Sequence, residues 1–245
     1  MGEIQLKPEY VLQVGNILIS NAFFTSVITT AILILVAALL GKSLKGVFGT
    51  STGQLVAEFI FQPLWNLCYQ VLGDATLARR AFPFIATFFV FIITANWIEV
   101  LPGFLGALYV HAENGANLSL FRSPSTDLNT TLALGLVSVG FTQVIAMQVL
   151  GPKAFFLRIV NIRKPIQTLA GILEFMSEFS KIFSFAFRLF GNMFAGGVLL
   201  LVTGFLVPYI IPLPFMVLEI FVGFIQALVF ALLSLMFIKA ASSHG

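Results

Sequence analysis

The fold class this sequence predicts is an all-α integral membrane protein, and three observations carry it. Of 245 residues, 59% are hydrophobic and 9% charged, whereas a water-soluble domain carries roughly a quarter charged residues. Five apolar stretches, near 17–40, 82–101, 132–150, 166–207 and 212–238, are long enough to cross a bilayer as helices, which takes about 20 residues. Lys and Arg gather in alternate connections between those stretches. Together these exclude a soluble globular enzyme, and residues 1–245 read as a single membrane domain.

The first span is preceded by Glu3, Lys7 and Glu9, not the positive leader of a secretory signal, and is too long for a signal's apolar core. Gly41-Lys42-Ser43 resembles the end of a phosphate loop, but position 36 is Val where a Gly is required; a helix end with a snorkelling lysine is expected. Gly49-Thr50-Ser51-Thr52-Gly53 matches a nucleophile-elbow pattern outside the strand–turn–helix setting that chemistry needs, so it reads as a small-residue loop. Residues 54–72 mix Glu58, Gln62, Trp65, Asn66 and Gln70 with apolar residues. They predict an amphipathic helix on the cytoplasmic face, interrupted at Pro63.

The connection 102–127 is the longest polar stretch between spans, and its Pro, Gly, Asn and Ser content predicts irregular structure. Asn117-Leu118-Ser119 inside it is a sequon. Cys68 stands alone, excluding an intrachain disulfide, and His111 and His244 are far apart, so neither a metal site nor a cofactor is expected.

Orientation follows from the basic residues, which mark cytoplasmic loops. Lys42, Lys45, Arg79, Arg80, Lys153, Arg158, Arg163, Lys164 and Lys239 lie on one side; Lys7 and Arg122 flank the spans on the other. The N-terminus is therefore expected outside and the C-terminus inside, in agreement with five crossings. The fourth stretch is over-long: about 42 residues make roughly 63 Å of helix against a ~30 Å hydrocarbon core. It must break or lie steeply inclined. The fifth follows a Pro-rich turn, Pro208 to Pro214, and the two read as one slanted hairpin.

The fourth stretch also carries ionisable groups, which are costly in lipid and mark ion or substrate pathways. At 100° per residue, Glu174, Ser177, Lys181, Ser184, Arg188 and Asn192 fall within about 40° of one line. The fifth repeats the idea with Glu219 and Gln226 on one face, Gly223 close by, and the hairpin can set Gln226 beside Arg188. Blander readings stand beside this one. Glu178 and Lys181 reach the cytoplasmic interface or join the track; Arg188 snorkels or is a fixed intramembrane charge; Glu219 is a buried neutral acid or a proton carrier. Arginine stays protonated, so Arg188 attracts a carboxylate without relaying protons itself, while a carboxyl group away from water can load and release a proton near neutral pH. A fixed cation, titratable acids and two accessible sides make a gated proton path. A stand-alone transporter or channel using Arg188 for an anionic substrate is the alternative, but it predicts an internal repeat, and none is visible.

Arg188-Leu-Phe-Gly-Asn192-Met-Phe-Ala-Gly-Gly197, followed by Gln226-Ala-Leu-Val-Phe230, resembles subunit a of the F-type ATP synthase. Asn96-Trp-Ile-Glu99-Val-Leu-Pro102 and Pro124-Ser-Thr-Asp127-Leu-Asn129-Thr-Thr131 are similar to further signatures of that family, in family order from about residue 54 onward. The resemblance implies a stator subunit that is not catalytic alone. Arg188 would face the carboxylates of a rotating ring of c subunits, with Gln226 and Asn192 in support. Glu219, Glu99 and Asn96 would line an outer half-channel, and Glu174 with Ser177, joined or not by Glu178 and Lys181, a cytoplasmic one. It also implies peripheral-stalk b subunits and the remaining synthase subunits as partners, no nucleic acid, and the plasma membrane of a bacterium. One departure stands out: many bacterial members carry an acid at the position of Gly197 and a His at that of Glu219, whereas here the acid is on the fifth helix. The two positions are expected to be neighbours across the hairpin.

Overall fold

In a computed structural model the described residues are 10–14, 17–43, 52–100, 109–111, 117–119, 122–153, 155, 165–207 and 210–243. Six long helices dominate them. Two short antiparallel hairpins precede and interrupt the helices: β1 (Tyr10–Val14) with β2 (Ile17–Ser20), and β3 (Tyr109–His111) with β4 (Asn117–Ser119). The first therefore corrects the expected start of span one, because residues 17–20 pair as a strand. The second replaces part of the irregular structure expected in 102–127. In both places the apolar or polar composition was read correctly, but a backbone ladder claimed the residues.

Helix α1 (Asn21–Ser43) opens with the Ser20 hydroxyl accepting from the Phe23 amide. Thr25, Thr29 and Thr30 return their hydroxyl protons to carbonyls one turn back, which satisfies them without water. Most of its surface faces outward, Ile34 being 65% and Leu35 60% exposed, as befits a helix solvated by lipid. Gly41, Lys42 and Ser43 form its last turn. The Gly49–Ser51 part of the elbow-like segment lies outside the described residues.

Helix α2 (Thr52–Leu72) runs through Pro63 without a break, correcting the expected interruption. Its face Leu64, Cys68 and Leu72, spaced one turn apart, is buried, and packing of that face holds the helix across a missing backbone donor. Trp65 and Phe61 meet Phe82 edge-on. Gly73, at φ +73°, turns the chain, a conformation that suits glycine. Asp74 then accepts from the amides of Thr76 and Leu77 and caps helix α3 (Ala75–Val100). The capped helix takes in Arg79 and Arg80 ahead of the apolar run, so it starts earlier than hydropathy alone indicates.

A 3₁₀ turn (Pro124–Thr126) and helix α4 (Leu128–Leu150) follow; Asp127 caps α4 through the Asn129 amide and the Thr130 hydroxyl. Thr131, Gly135, Ser138, Val139, Thr142, Ile145 and Ala146 form its buried, largely small-residue face, the kind of surface that lets membrane helices approach closely. At Gly135 an added Cβ would stand 2.8 Å from the Ile182 carbonyl oxygen. Ser138 and Ser234 share a buried hydrogen bond of 2.9 Å.

Helix α5 (Pro165–Leu206) is unbroken over 42 residues and α6 (Pro212–Ser243) over 32, roughly 63 and 48 Å long. The alternative in which the fourth stretch breaks is thereby removed; a helix of that length has to lie inclined to fit a ~30 Å core. Residues 208 and 209 of the connecting turn lie outside the described residues. Aromatic rings fill the centre: Phe84 stacks on Phe141, Phe88 stacks on Phe230, and Phe185 meets Phe230 at a tilt, joining α3, α4, α5 and α6. Five of the six long helices are long and apolar enough to span a membrane, α2 being the exception.

Candidate functional site on the α5–α6 hairpin

The buried face of α5 beside the stripe is Phe185, Ala186, Leu189 and Met193, with Thr203 further along the helix. The polar stripe runs roughly 110° around the helix from that face, along the flank. Ser177, Ser184 and Asn192 are exposed and Arg188 is half-buried. Arg188 Nη2 donates to Ser184 Oγ at a long 3.4 Å. Glu178 pairs with Lys181, and among the described residues no carboxylate is paired with Arg188. Gly191, beside the stripe, has open space where a side chain would be.

One turn along, Asn192 Nδ2 donates to Gln226 Oε1 at 2.8 Å across the hairpin. Gln226 is thus brought to the stripe through Asn192, while the arginine keeps its contact with Ser184. Toward the other end, Lys181 Nζ lies 2.5 Å from Glu178 Oε1 and 4.3 Å from the centre of the Phe237 ring on α6. That pairing ties Lys181 back onto the hairpin. Glu99 sits on α3 and Glu174 on α5; their side chains lie outside the described residues.

Helix α6 turns a continuous stripe inward: Glu219, Gly223, Gln226, Phe230 and Ser234 recur at three- and four-residue spacing and are buried. Glu219 is 5% exposed, and neither carboxylate oxygen has a hydrogen-bond partner among the described residues. Its side chain lies against Gly196 of α5. Gly196 immediately precedes Gly197, so the contact brings this stretch of α5 to Glu219.

Asn96 is fully buried and reaches α6 through Nδ2 to the Gly223 carbonyl at 3.5 Å, while its Oδ1 accepts from Ser125 Oγ at 2.7 Å. Trp97 Nε1 donates to the Ile220 carbonyl at 2.9 Å, and Ser123 Oγ to the Ala95 carbonyl. Ser125, Trp97 and Gly196 were not singled out from the sequence. Their signal was position: each lies inside or beside a quoted motif, yet only the packing shows that those motifs converge on one turn of α6.

The sequence profile described as ATP synthase A chain matches residues 23–239. Among curated relatives, ATP synthase subunit a of Syntrophobacter fumaroxidans is 29% identical over 97% of this chain and 91% of its own length. ATP synthase subunit a 1 of Syntrophotalea carbinolica is 34% identical over 84% of this chain and 79% of its own. ATP synthase subunit a of Helicobacter pylori is 31% identical over 94% and 95% respectively. With a profile covering most of its length and relatives matched nearly end to end, the chain belongs to the ATP synthase A chain family.

Proposed function

We propose that this chain forms the stationary wall of a proton path, in which Arg188 meets the carboxylates of a rotating ring of c subunits. Membership of the family makes it a non-catalytic, ion-translocating subunit of the ATP synthase and a multi-pass membrane protein. The observation that carries the finer reading is the state of Arg188. It lies on the open flank of a membrane helix, with one long hydrogen bond and no acid in reach among the described residues. A permanent charge in that setting is stable when a partner of opposite sign completes it, and the bare surface at Gly191 leaves a neighbouring helix room to come close.

In this reading a protonated ring carboxyl arrives at the α5 flank, Arg188 draws the ionised form toward itself, and the proton leaves along Ser177, Glu174 and neighbours. The same guanidinium repels a cation attempting to pass directly. Glu219, together with Asn96 and Glu99, passes protons between the opposite face and the ring, and Asn192 with Gln226 keeps the hairpin in register next to the arginine. Each charge crossing 100 mV releases about 2.3 kcal/mol, taken up as rotation. Peripheral-stalk b subunits hold the wall against that torque, in a bacterial plasma membrane with the N-terminus outside.

The test is Arg188→Ala in the complete reconstituted synthase. ATP-driven proton pumping should vanish while the complex still assembles. Pumping at the wild-type rate refutes the reading, as does rapid proton flux through purified wild-type chain without the ring.

A further inference from the structure

We propose that Gly196 is a positioning residue for the ion path: its missing side chain is the slot that holds the carboxyl group of Glu219. This rests on the reading of Glu219 given above.

An ideal Cβ at Gly196 would stand 2.6 Å from Glu219 Oε1, 3.0 Å from Cδ and 3.5 Å from Cγ. These three nearest atoms all belong to one side chain. That pattern separates Gly196 from the other close glycines. At Gly135 the obstacle is the backbone of Ile182, so the glycine lets two helices approach. At Gly204, near the turn of the same hairpin, a Cβ would make an ordinary contact of 3.9 Å with Pro212. Glycine is a poor interior helix residue. At position 196 what it makes room for is a carboxyl group.

The second observation concerns how that carboxyl is held. Glu219 is 5% exposed, and both its oxygens are buried without a hydrogen-bond donor among the described residues. Buried carboxyl groups are ordinarily fixed by the donors around them. Here the carboxyl group occupies the space left open at Gly196, facing the α5 backbone. Eight residues separate Gly196 from Arg188 along α5, about 12 Å, so the slot sets how far the acid stands from the fixed cation. A methyl group at 196 collides with the movable end of a flexible side chain. It therefore shifts the acid and leaves the helices in place.

The test uses the intact synthase, with ATP-driven pumping read against the amount of assembled complex. Gly196→Ala should assemble normally and pump at least tenfold more slowly. Adding Glu219→Asp, which withdraws the carboxyl by one methylene, should restore most of the rate, a rescue that a general packing lesion would not show. Wild-type pumping by Gly196→Ala overturns the proposal, and so does a double variant no faster than Gly196→Ala alone. Glu219→Gln separates the two levels. If it pumps normally, the role of Glu219 in the path fails and the slot with it; if it is slow while Gly196→Ala is normal, the slot alone fails.

Discussion

The polar cluster around Asn96 and the polar stripe through Arg188 obey the same solvent rule in opposite ways. At Asn96 every named group is matched within the chain: Ser125 donates to Asn96, Asn96 and Trp97 donate to α6 carbonyls, and Ser123 donates to α3. Along the stripe, Arg188 has a single 3.4 Å bond among the described residues, and Ser177 and Ser184 face outward. In lipid, unsatisfied polar groups cost several kcal/mol. A closed cluster meets that demand by itself and works as scaffold. An open one leaves its charge to be completed from outside the chain, which is what the proposed encounter with ring carboxylates would supply.

The contrast can be broken most directly at its open end. Arg188→Ala should reduce pumping to background with the thermal stability of the subunit nearly unchanged, since the side chain supports little within the chain. A large loss of stability with pumping retained would reverse the two roles. Glu219→Gln comes next: it keeps shape and removes the proton site, so pumping should fall by about tenfold or more while assembly holds.

At the closed end the order inverts. Ser125→Ala leaves Asn96 Oδ1 without its donor, and orphaning a buried polar group costs about 1–3 kcal/mol. The loss should appear as a lower melting temperature in detergent, with a smaller change in pumping per assembled complex. A variant as stable as wild type would show that the cluster is not a scaffold.

The smallest effect is expected outside the membrane, at Asp74. Hydrogen bonds from the Thr76 side chain, then its backbone, hold that carboxyl below the ordinary carboxylate range. The sign is fixed by linkage: a depressed native value adds stability above the unfolded value, near 4, that is lost as pH falls through the native one. Asp74→Ala should therefore be slightly less stable than wild type at neutral pH, with the gap closing once the pH drops below about 4. A gap that persists in acid would assign the effect to the cap's shape and not to its charge.

Much of this arrangement was readable from residues alone, and the reasons differ by element. The spans at 132–150, 166–207 and 212–238 lie within a few residues of α4, α5 and α6, because apolar length is what a bilayer selects. The stripe was legible because helical periodicity is exact enough over about four turns to keep Ser177 and Asn192 on one side of the helix. Pro63 misled because a local propensity was overruled by the buried face Leu64, Cys68 and Leu72. The β3–β4 pairing escaped because short strands in a polar connection carry no strong period.

What the amino-acid order settled by itself is the solvent, the number of crossings and the length of the final hairpin. These follow from composition and from periodicity, which act along a single helix. Only the tertiary structure decided which groups meet: Gln226 with Asn192, Asn96 with Ser125 and Gly223, and Glu219 against Gly196. Those contacts depend on the rotation and register of one helix against another, and these are set by the fit of many small and aromatic side chains at once, which no single segment encodes.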